Sequence, residues 1–320
     1  MVVEDQLITD QYCLYQGDCC EVIQGIPDNS VGLSIYSPPF ADLYSYSDSD
    51  RDMSNSRNYK EFFEHFGFLV EQLYRVLMPG RITAVHCMDL PIHKNREGYI
   101  GLKDFPGDIV RLFQEYKFIP HSHHCIWKDP LTAAARTNAL GLAHKQIVKD
   151  SSMCRTGIPD YIWAFRKPGD NPQPIKHPMG LTEYAGERSI PRELSHYNGH
   201  ADPKTNKRSH WIWQQYASPV WFDIRQGNVL PHQQAKDKDD QRHICPLQID
   251  VVERCLTLWS NEGDVVLDPF GGVGTTGYVA VKNGRKAIMV ELKRSYFRQM
   301  RRNMKSLRLE QRKTQQGLLT

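Results

Sequence analysis

Residues 265–276 read Val-Val-Leu-Asp-Pro-Phe-Gly-Gly-Val-Gly-Thr-Thr. The apolar start predicts a buried strand, and the glycines let the backbone that follows approach a ligand closely. A helix is predicted from the loop through Val281, ending at Asn283-Gly284, and a second strand at Lys286 to Val290. A strand, a glycine-rich loop, a helix and a strand in this order indicate an α/β sheet with a ligand at the helix N-terminus.

An acidic residue, Glu291, follows the second strand, 23 residues after Asp268. In nucleotide-binding folds an acid at about 20 residues is placed to accept hydrogen bonds from ribose hydroxyls, so we predict a nucleoside cofactor. The spacing Gly-Gly-x-Gly lacks the third glycine of the G-x-G-x-x-G motif, which disfavours a dinucleotide. A purely structural glycine-rich turn stays open as an alternative.

A second motif, Ser37-Pro38-Pro39-Phe40, ends the apolar run Val31 to Tyr36. The run predicts a buried strand that stops at the carboxyl edge of the sheet. The prolines stiffen the backbone and offer no N–H, which leaves the Ser37 hydroxyl and the carbonyls of Ser37 and Pro38 as acceptors beside an aromatic ring. Such a set suits a planar ring with an exocyclic amino group. A strand entering a Pro-Pro turn is equally compatible with these four residues alone.

The rest of the chain continues the α/β alternation. Helices are predicted at Cys19 to Ile26, Tyr59 to a stop at Pro79-Gly80, Asp104 to Tyr116 and Pro246 to Trp259, and strands at Cys13 to Tyr15, Arg81 to Cys87, Phe118 to Trp127 and Asp160 to Phe165. The last two strands are predicted to form an antiparallel pair at the sheet edge. The polar stretch Ala41 to Asn58 is predicted to be a mobile loop that closes on a ligand.

Residues from about 167 to 240 break this rhythm with a series of prolines. Trp211-Ile212-Trp213 and Trp221-Phe222 lie within this stretch and predict an insertion or small subdomain with its own aromatic anchors. Basic clusters at Lys204-Lys207-Arg208 and from Lys293 to Arg312 are typical of solvated faces.

The composition, 320 residues with 40% hydrophobic and 10% aromatic side chains, predicts a globular protein. A net charge of +3 permits nucleic acid as a partner without requiring it. Eight cysteines without a C-x-x-C pair, and no signal peptide pattern, predict reduced thiols in a cytoplasmic protein. No apolar run is long enough to span a bilayer. His121, His123, His124 and Cys125 alternate between the faces of a predicted strand, so no metal site is expected there.

Together the two motifs resemble the amino-methyltransferases of DNA, which act with S-adenosylmethionine. Ser37-Pro-Pro-Phe resembles the catalytic tetrapeptide of that family, and the Asp268 loop resembles its cofactor loop. The catalytic motif comes first, an order similar to that of the permuted β group. Further segments also match the family: Gly17-Asp18, 26–31, 77–80, 165–167, 243–247 and 284–285. The resemblance covers roughly residues 12–167 and 220–304.

This resemblance implies a Rossmann-like class I methyltransferase α/β sheet, circularly permuted, with an inserted target-recognition region. Its parts would be a catalytic half at 1–167, target recognition at 168–240 and a cofactor-binding half at 241–320. Asp18 would hold the adenine amino group, Glu291 the ribose, and the loop the methionine and sulfonium end. The implied catalytic residues are Ser37, Pro38, Pro39 and Phe40, and the implied cofactor-binding residues are Asp18, Asp268, Pro269, Phe270, Gly271, Gly272, Gly274, Thr275, Thr276 and Glu291, with no metal.

The target would be an amino group on a DNA base. Its nitrogen is a poor nucleophile because the lone pair is delocalised into the ring, and acceptors at Ser37 and Pro38 would favour a pyramidal, reactive nitrogen. Phe40, in place of the commoner Tyr, would stack on a base flipped out of the duplex. Ser at the first position is similar to most cytosine-N4 enzymes and Asp to most adenine-N6 enzymes. We therefore expect cytosine N4, with adenine N6 as the alternative.

The expected partner is double-stranded DNA, and the resemblance also allows a homodimer and a cognate restriction nuclease, in a bacterial or phage-infected cytoplasm. Three rival functions stay open at this point. A nicotinamide-dependent oxidoreductase would share the nucleotide half but leave Ser37-Pro38-Pro39-Phe40 unexplained. A non-catalytic DNA-binding module would not need both motifs intact. RNA or protein-glutamine methyltransferases usually carry Asn-Pro-Pro-Tyr and lack the large insertion.

Overall fold

The computed structural model describes residues 3–40, 53, 56, 58–131, 133, 141–197, 202, 204–235 and 246–317. The strands are β1 Val3–Ile8, β2 Tyr12–Gly17, β3 Val31–Tyr36, β4 Leu77–Cys87, β5 Leu90–Ile92, β6 Gly101–Lys103, β7 Ile119–Ile126, β8 Asp160–Arg166, β9 Val220–Trp221, β10 Val265–Asp268 and β11 Lys286–Glu291. The helices are α1 Cys19–Val22, α2 Tyr59–Val76, α3 Lys94–Glu97, α4 Phe105–Glu115, α5 His144–Lys149, α6 Lys207–Tyr216, α7 Ile249–Trp259, α8 Thr275–Lys282 and α9 Arg294–Gly317.

Nine of these strands form one sheet in the order β1-β2-β11-β10-β3-β4-β8-β7-β9. The five strands from β2 to β4 in this order are parallel to one another. β8 is antiparallel to both of its neighbours, as predicted for the pair β7 and β8, and the short β9 forms the outer edge. Since parallel strands end at the same edge, the segments after β2, β3, β10 and β11 all lie together.

The sheet is covered on both faces, which explains why β3 is buried along its whole length. Leu33 and Ile35 pack in a core cluster with apolar residues of α7, α8 and α9. Tyr36 packs on the other face with aromatic residues of α2 and α4. The result is three layers, helices on a sheet on helices, with both predicted motif strands in the middle layer.

The prediction that the second helix stops at Pro79-Gly80 is wrong. α2 ends at Val76, and residues 77–80 already belong to β4. The Gly80 N–H donates to the Lys167 carbonyl at 3.0 Å, so tertiary pairing draws this segment into the sheet. Gly80 has a φ of +71°, and a Cβ there would lie 2.6 Å from the backbone nitrogen of Asn171, which explains the glycine.

The stretch between β8 and α7 is fastened to the main sheet by two buried side chains. Trp221 lies in β9 beside β7 and is part of the core cluster of the sheet. The expectation that it anchors a separate subdomain is therefore wrong. Arg254 of α7 donates to the Ala185 carbonyl at 2.8 Å and forms an ion pair with Asp223 at 2.9 Å. Trp213, another expected anchor, is 56% exposed.

The loop 41–58 and one of the eight cysteines lie largely outside the described residues. The predicted closing loop, Ala41 to Asn58, lies outside the described residues apart from Met53, Ser56 and Asn58. Cys245 also lies outside them, and the other seven cysteines are free thiols. Within the ranges given above, no helix combines the length and apolar composition needed to cross a bilayer.

Replacing Arg254 with alanine should lower the free energy of unfolding by about 3–5 kcal/mol, because the Asp223 carboxylate would be left buried without its partner. Urea denaturation of wild type and variant measures this change. The matched control is Arg111→Ala, whose side chain is 59% exposed beside Asp104 and Asp108 and should matter little. An unchanged unfolding midpoint for Arg254→Ala would show that Arg254 does not stabilise the contact between this stretch and the main sheet.

Candidate active site

A cavity of about 190 Å³ opens at the carboxyl edge of the parallel strands. It brings together the segments around the ends of β2, β3, β10 and β11 with Met53 and residues 246–247. The predicted site residues that line it are Asp18, Ser37, Pro38, Pro39, Phe40, Asp268, Pro269, Phe270, Gly271, Gly272, Thr275, Thr276 and Glu291. Gly274, the remaining predicted residue, is the N-cap of α8 directly behind the lining.

The glycine loop is shaped by close packing against α9. A Cβ on Gly271 would lie 2.5 Å from the terminal methyl group of Met300, and a Cβ on Gly274 would lie 2.8 Å from the Met300 Cγ. Gly272 and Gly274 also have φ angles of +53° and +92°, which glycine adopts without a steric penalty. The glycines are therefore required by the fold of the loop as well as by the approach of a ligand.

Glu291 is fixed at the end of β11 by two backbone groups. One carboxylate oxygen accepts from the Gly272 N–H at 2.8 Å and the other from the Lys293 N–H at 2.7 Å. The side chain thus links the glycine loop to the start of α9 and presents a carboxylate at the cavity wall. Asp18 is held in a similar way, because it caps α1 and accepts from the Cys20 N–H at 2.8 Å.

Asp268, at the start of the glycine loop, is a buried carboxyl group. Burial raises its pKa to about 7, although hydrogen bonds from the Thr276 side chain and the Phe270 N–H oppose the shift. Near neutral pH this carboxyl group is therefore poised between its two protonation states, and a nearby positive charge would favour ionisation.

Ser37 lies where β3 ends, beside His86 of β4. Its Oγ is 3.2 Å from the His86 Nδ1 and 3.4 Å from the His86 carbonyl oxygen. Phe40 packs edge-on against the rings of His86 and Phe105, at centroid distances of 6.4 and 6.2 Å. The hydroxyl and the aromatic ring of the motif are thus supported from behind, and both line the cavity.

Sequence reasoning missed the residues that stand behind Ser37. The His86 Nε2 is 3.0 Å from an Asp160 carboxylate oxygen, and the Lys128 Nζ is 2.5 Å from the other. Burial alone would raise the pKa of Asp160, but Lys128 and His86 outweigh it and hold that pKa at about 2. No sequence motif joins these residues, since only the pairing of β4, β8 and β7 brings them together.

Nine further residues line the cavity and were not among the predicted site residues. They are Gly17, Cys19, Met53, Pro246, Leu247, Val273, Leu292, Lys293 and Tyr296. Pro246 and Leu247 precede α7, and the family resemblance did cover them as part of 243–247. Lys293 and Tyr296 lie just after Glu291, before and within the first turn of α9. Their position directly after a strand of the site is the sequence feature that could have identified them.

Comparisons with known proteins identify the family to which the chain belongs. The family model for DNA methylases of the N6/N4 type matches residues 31–302. The type II methyltransferase M.BamHI of Bacillus amyloliquefaciens is 26% identical over 293 residues, which are 91% of this chain and 56% of that protein. The chain therefore spans little more than half the length of this relative.

Two solved structures share the fold. One is a protein of Thermus thermophilus, described as a putative DNA modification methylase complexed with S-adenosyl-L-methionine. It superposes with a TM-score of 0.60 at 22% identity, and the match covers 93% of this chain and 95% of the Thermus chain. The PvuII DNA methyltransferase, described as cytosine-N4-specific, has a TM-score of 0.58 at 17% identity and covers 92% and 88%.

These superpositions confirm the predicted α/β class I methyltransferase sheet. The circular permutation stays a prediction. The family model spans most of the chain and includes the Ser37 motif, the glycine loop and Glu291. The chain belongs to the N6/N4 family of DNA methylases.

Proposed function

We propose that the protein is a site-specific DNA methyltransferase that transfers the methyl group of S-adenosylmethionine to the N4 amino group of cytosine. The observation that carries the proposal is the cavity shared by Ser37-Pro38-Pro39-Phe40 and the glycine loop with Glu291. One motif offers acceptors beside an aromatic ring, and the other offers a nucleoside-binding wall. Pairing of β3 with β10 places them side by side.

The donor set suits S-adenosylmethionine. The Glu291 carboxylate, fixed by two backbone N–H groups, would accept from ribose hydroxyls, and Asp18 would accept from the adenine amino group. Asp268 and its loop would surround the methionine end, where an ionised carboxylate favours a cationic ligand. When bound, this cofactor supplies an electrophilic methyl group on a sulfonium centre.

Ser37 and the Pro38 carbonyl would accept the amino hydrogens of the base, and Phe40 would stack on its ring. A base inside a duplex cannot reach this cavity, so the target is expected to be flipped out of the helix. Serine at the first position of the motif supports cytosine N4, and the shared fold with the cytosine-N4-specific PvuII enzyme is consistent with it. Adenine N6 is the competing target.

The segment 168–240 is proposed to recognise the DNA sequence, between a catalytic half at 1–167 and a cofactor half at 241–320. This segment presents exposed aromatic side chains, Trp213 at 56% and Phe222 at 57%, which are available for contact with a partner. Double-stranded DNA is the proposed partner. A homodimer, a cognate restriction nuclease and a cytoplasmic location stay predictions from the resemblance.

Expression in a bacterial host without DNA methylation tests the reaction and the base together. Modification-sensitive sequencing of genomic DNA should show N4-methylcytosine within one fixed sequence motif. N6-methyladenine in a fixed motif would overturn the choice of base while keeping the enzyme class. Genomic DNA without any new modification would contradict the proposed reaction.

Two substitutions should separate transfer from cofactor binding. Ser37→Ala is expected to lower the transfer rate about 100-fold with an unchanged dissociation constant for S-adenosylmethionine. Glu291→Ala should weaken cofactor binding roughly 10- to 100-fold, since hydrogen bonds to a charged group contribute about 1.5–3 kcal/mol. Single-turnover methylation and calorimetric titration measure the two effects. Ser30→Ala, at the opposite end of β3, is the control, and a reversed pattern would mean that the roles are misassigned.

Binding of S-adenosylmethionine should tighten as the pH rises from about 6 to 8. The raised pKa of Asp268, about 7, means that this carboxyl group is largely protonated at the lower pH and ionised at the higher one. A cationic ligand beside it favours the ionised form and releases a proton on binding. Calorimetry across this range should show the effect in wild type and a flatter profile in Asp268→Asn. Equal slopes for the two proteins would place the cationic end elsewhere.

A further inference from the structure

A buried polar chain of four residues leads away from the cavity behind Ser37. Ser37 Oγ contacts the His86 Nδ1 at 3.2 Å, the His86 Nε2 contacts Asp160 at 3.0 Å, and Lys128 contacts Asp160 at 2.5 Å. His86 and Asp160 are only 8% and 2% exposed. The chain is built from His86 of β4 and Asp160 of β8, together with Ser37 after β3 and Lys128 after β7.

The Asp160 carboxylate decides which ring nitrogen of His86 carries the proton. With its pKa held at about 2, Asp160 is ionised and can only accept, so the His86 Nε2 donates to it. The neutral ring then has an unprotonated Nδ1 facing Ser37, which can accept the hydroxyl proton. The lone pairs of Ser37 Oγ are left to accept a hydrogen bond from a group in the cavity.

We propose that His86, oriented by Asp160, takes up through Ser37 the proton that the target amino group must lose. This inference rests on the proposed function. As the amino nitrogen forms its bond to the methyl carbon, the carbon–sulfur bond breaks and its electron pair stays on sulfur. The methylated nitrogen is then positively charged and must lose one proton. That proton passes to Ser37 Oγ while the serine hydroxyl proton moves to the His86 Nδ1, giving an imidazolium beside the Asp160 carboxylate.

A serine, a histidine and an aspartate in contact also suggest acyl transfer, but the backbone argues against it. An acyl-transfer site needs donors for the developing oxyanion, commonly the N–H groups next to the nucleophile. The two residues after Ser37 are Pro38 and Pro39, which have no N–H. The motif therefore presents acceptors, which suit a proton-losing amino group.

Several titratable groups surround His86. Asp160 of β8 contacts the His86 ring directly, and Lys128 beyond β7 contacts the other oxygen of Asp160. Cys87 and Asp89 follow it along the chain, and burial raises the pKa of both. Because Asp160 accepts from the Nε2 side of the ring, the Nδ1 side facing Ser37 is the one open to the serine hydroxyl proton.

The experiment compares His86→Asn and Asp160→Asn with wild type in single-turnover methylation of DNA across a range of pH. Each variant should lose about 100-fold or more in rate at neutral pH, the range typical of proton transfer by a positioned side chain. The dissociation constant for S-adenosylmethionine should not change in either variant. His123→Asn, an exposed histidine on β7, is the matched control and should behave as wild type.

A second readout does not depend on turnover. Nitrogen NMR of the imidazoles should show His86 with its proton on Nε2 in wild type and with a changed tautomer balance in Asp160→Asn. Variants that transfer at the wild-type rate with the wild-type pH profile would overturn the role of His86 and leave the proposed function standing. A wild type that binds S-adenosylmethionine but methylates no DNA would overturn both.

Discussion

The parallel pairing of β3 with β10 is the constraint on which the site depends. Leu33 and Ser34 lie opposite Val266 and Leu267, more than 230 residues away in the chain. Two buried side-chain bonds reinforce the pairing, from Ser34 Oγ to the Leu267 carbonyl at 3.0 Å and from Thr276 Oγ1 to the Ile35 carbonyl at 3.2 Å. A shift of one residue would turn these side chains to the other face and separate the two motifs.

Three acidic groups near this edge show how the surroundings decide what a carboxyl group can do. Glu291 is held by two backbone N–H groups, Asp160 is kept ionised by a lysine and a histidine, and Asp268 is buried with a pKa raised to about 7. The same functional group thus serves as a fixed acceptor, as an orienting charge and as a group poised to titrate. Composition alone cannot distinguish these states, since each depends on neighbours from other strands.

The aromatic layer on the α2 and α4 face supports the Ser37-Pro38-Pro39-Phe40 motif. Phe40 rests on Phe105 at the start of α4, and Phe113 of the same helix stacks on Phe165 of β8 at a centroid distance of 4.1 Å. A helix that contacts both the motif and the strand carrying Asp160 keeps the two in a fixed relation. Positioning of this kind is what a direct transfer between two bound ligands needs most.

The sequence by itself determined the features that depend on local chemistry. The glycines of 271–274, the prolines after Ser37 and the apolar run of β3 are set by backbone conformation and burial, and the helices and strands around them follow from hydrophobic spacing. The family resemblance added the expected roles of the motifs; the family and the α/β sheet that it implied are confirmed, and the circular permutation stays a prediction. These signals lie within single segments, which is why they can be recognised without a structure.

Only the tertiary structure decided the features that depend on strand neighbours. Pro79-Gly80 has the sequence of a helix stop, but pairing with Lys167 makes it part of a strand. Trp221 has the sequence of a subdomain anchor, but its place beside β7 makes it a core residue. His86, Asp160 and Lys128 meet because β4, β8 and β7 are adjacent. No local pattern records that order, since the sheet is assembled from segments distant in the chain.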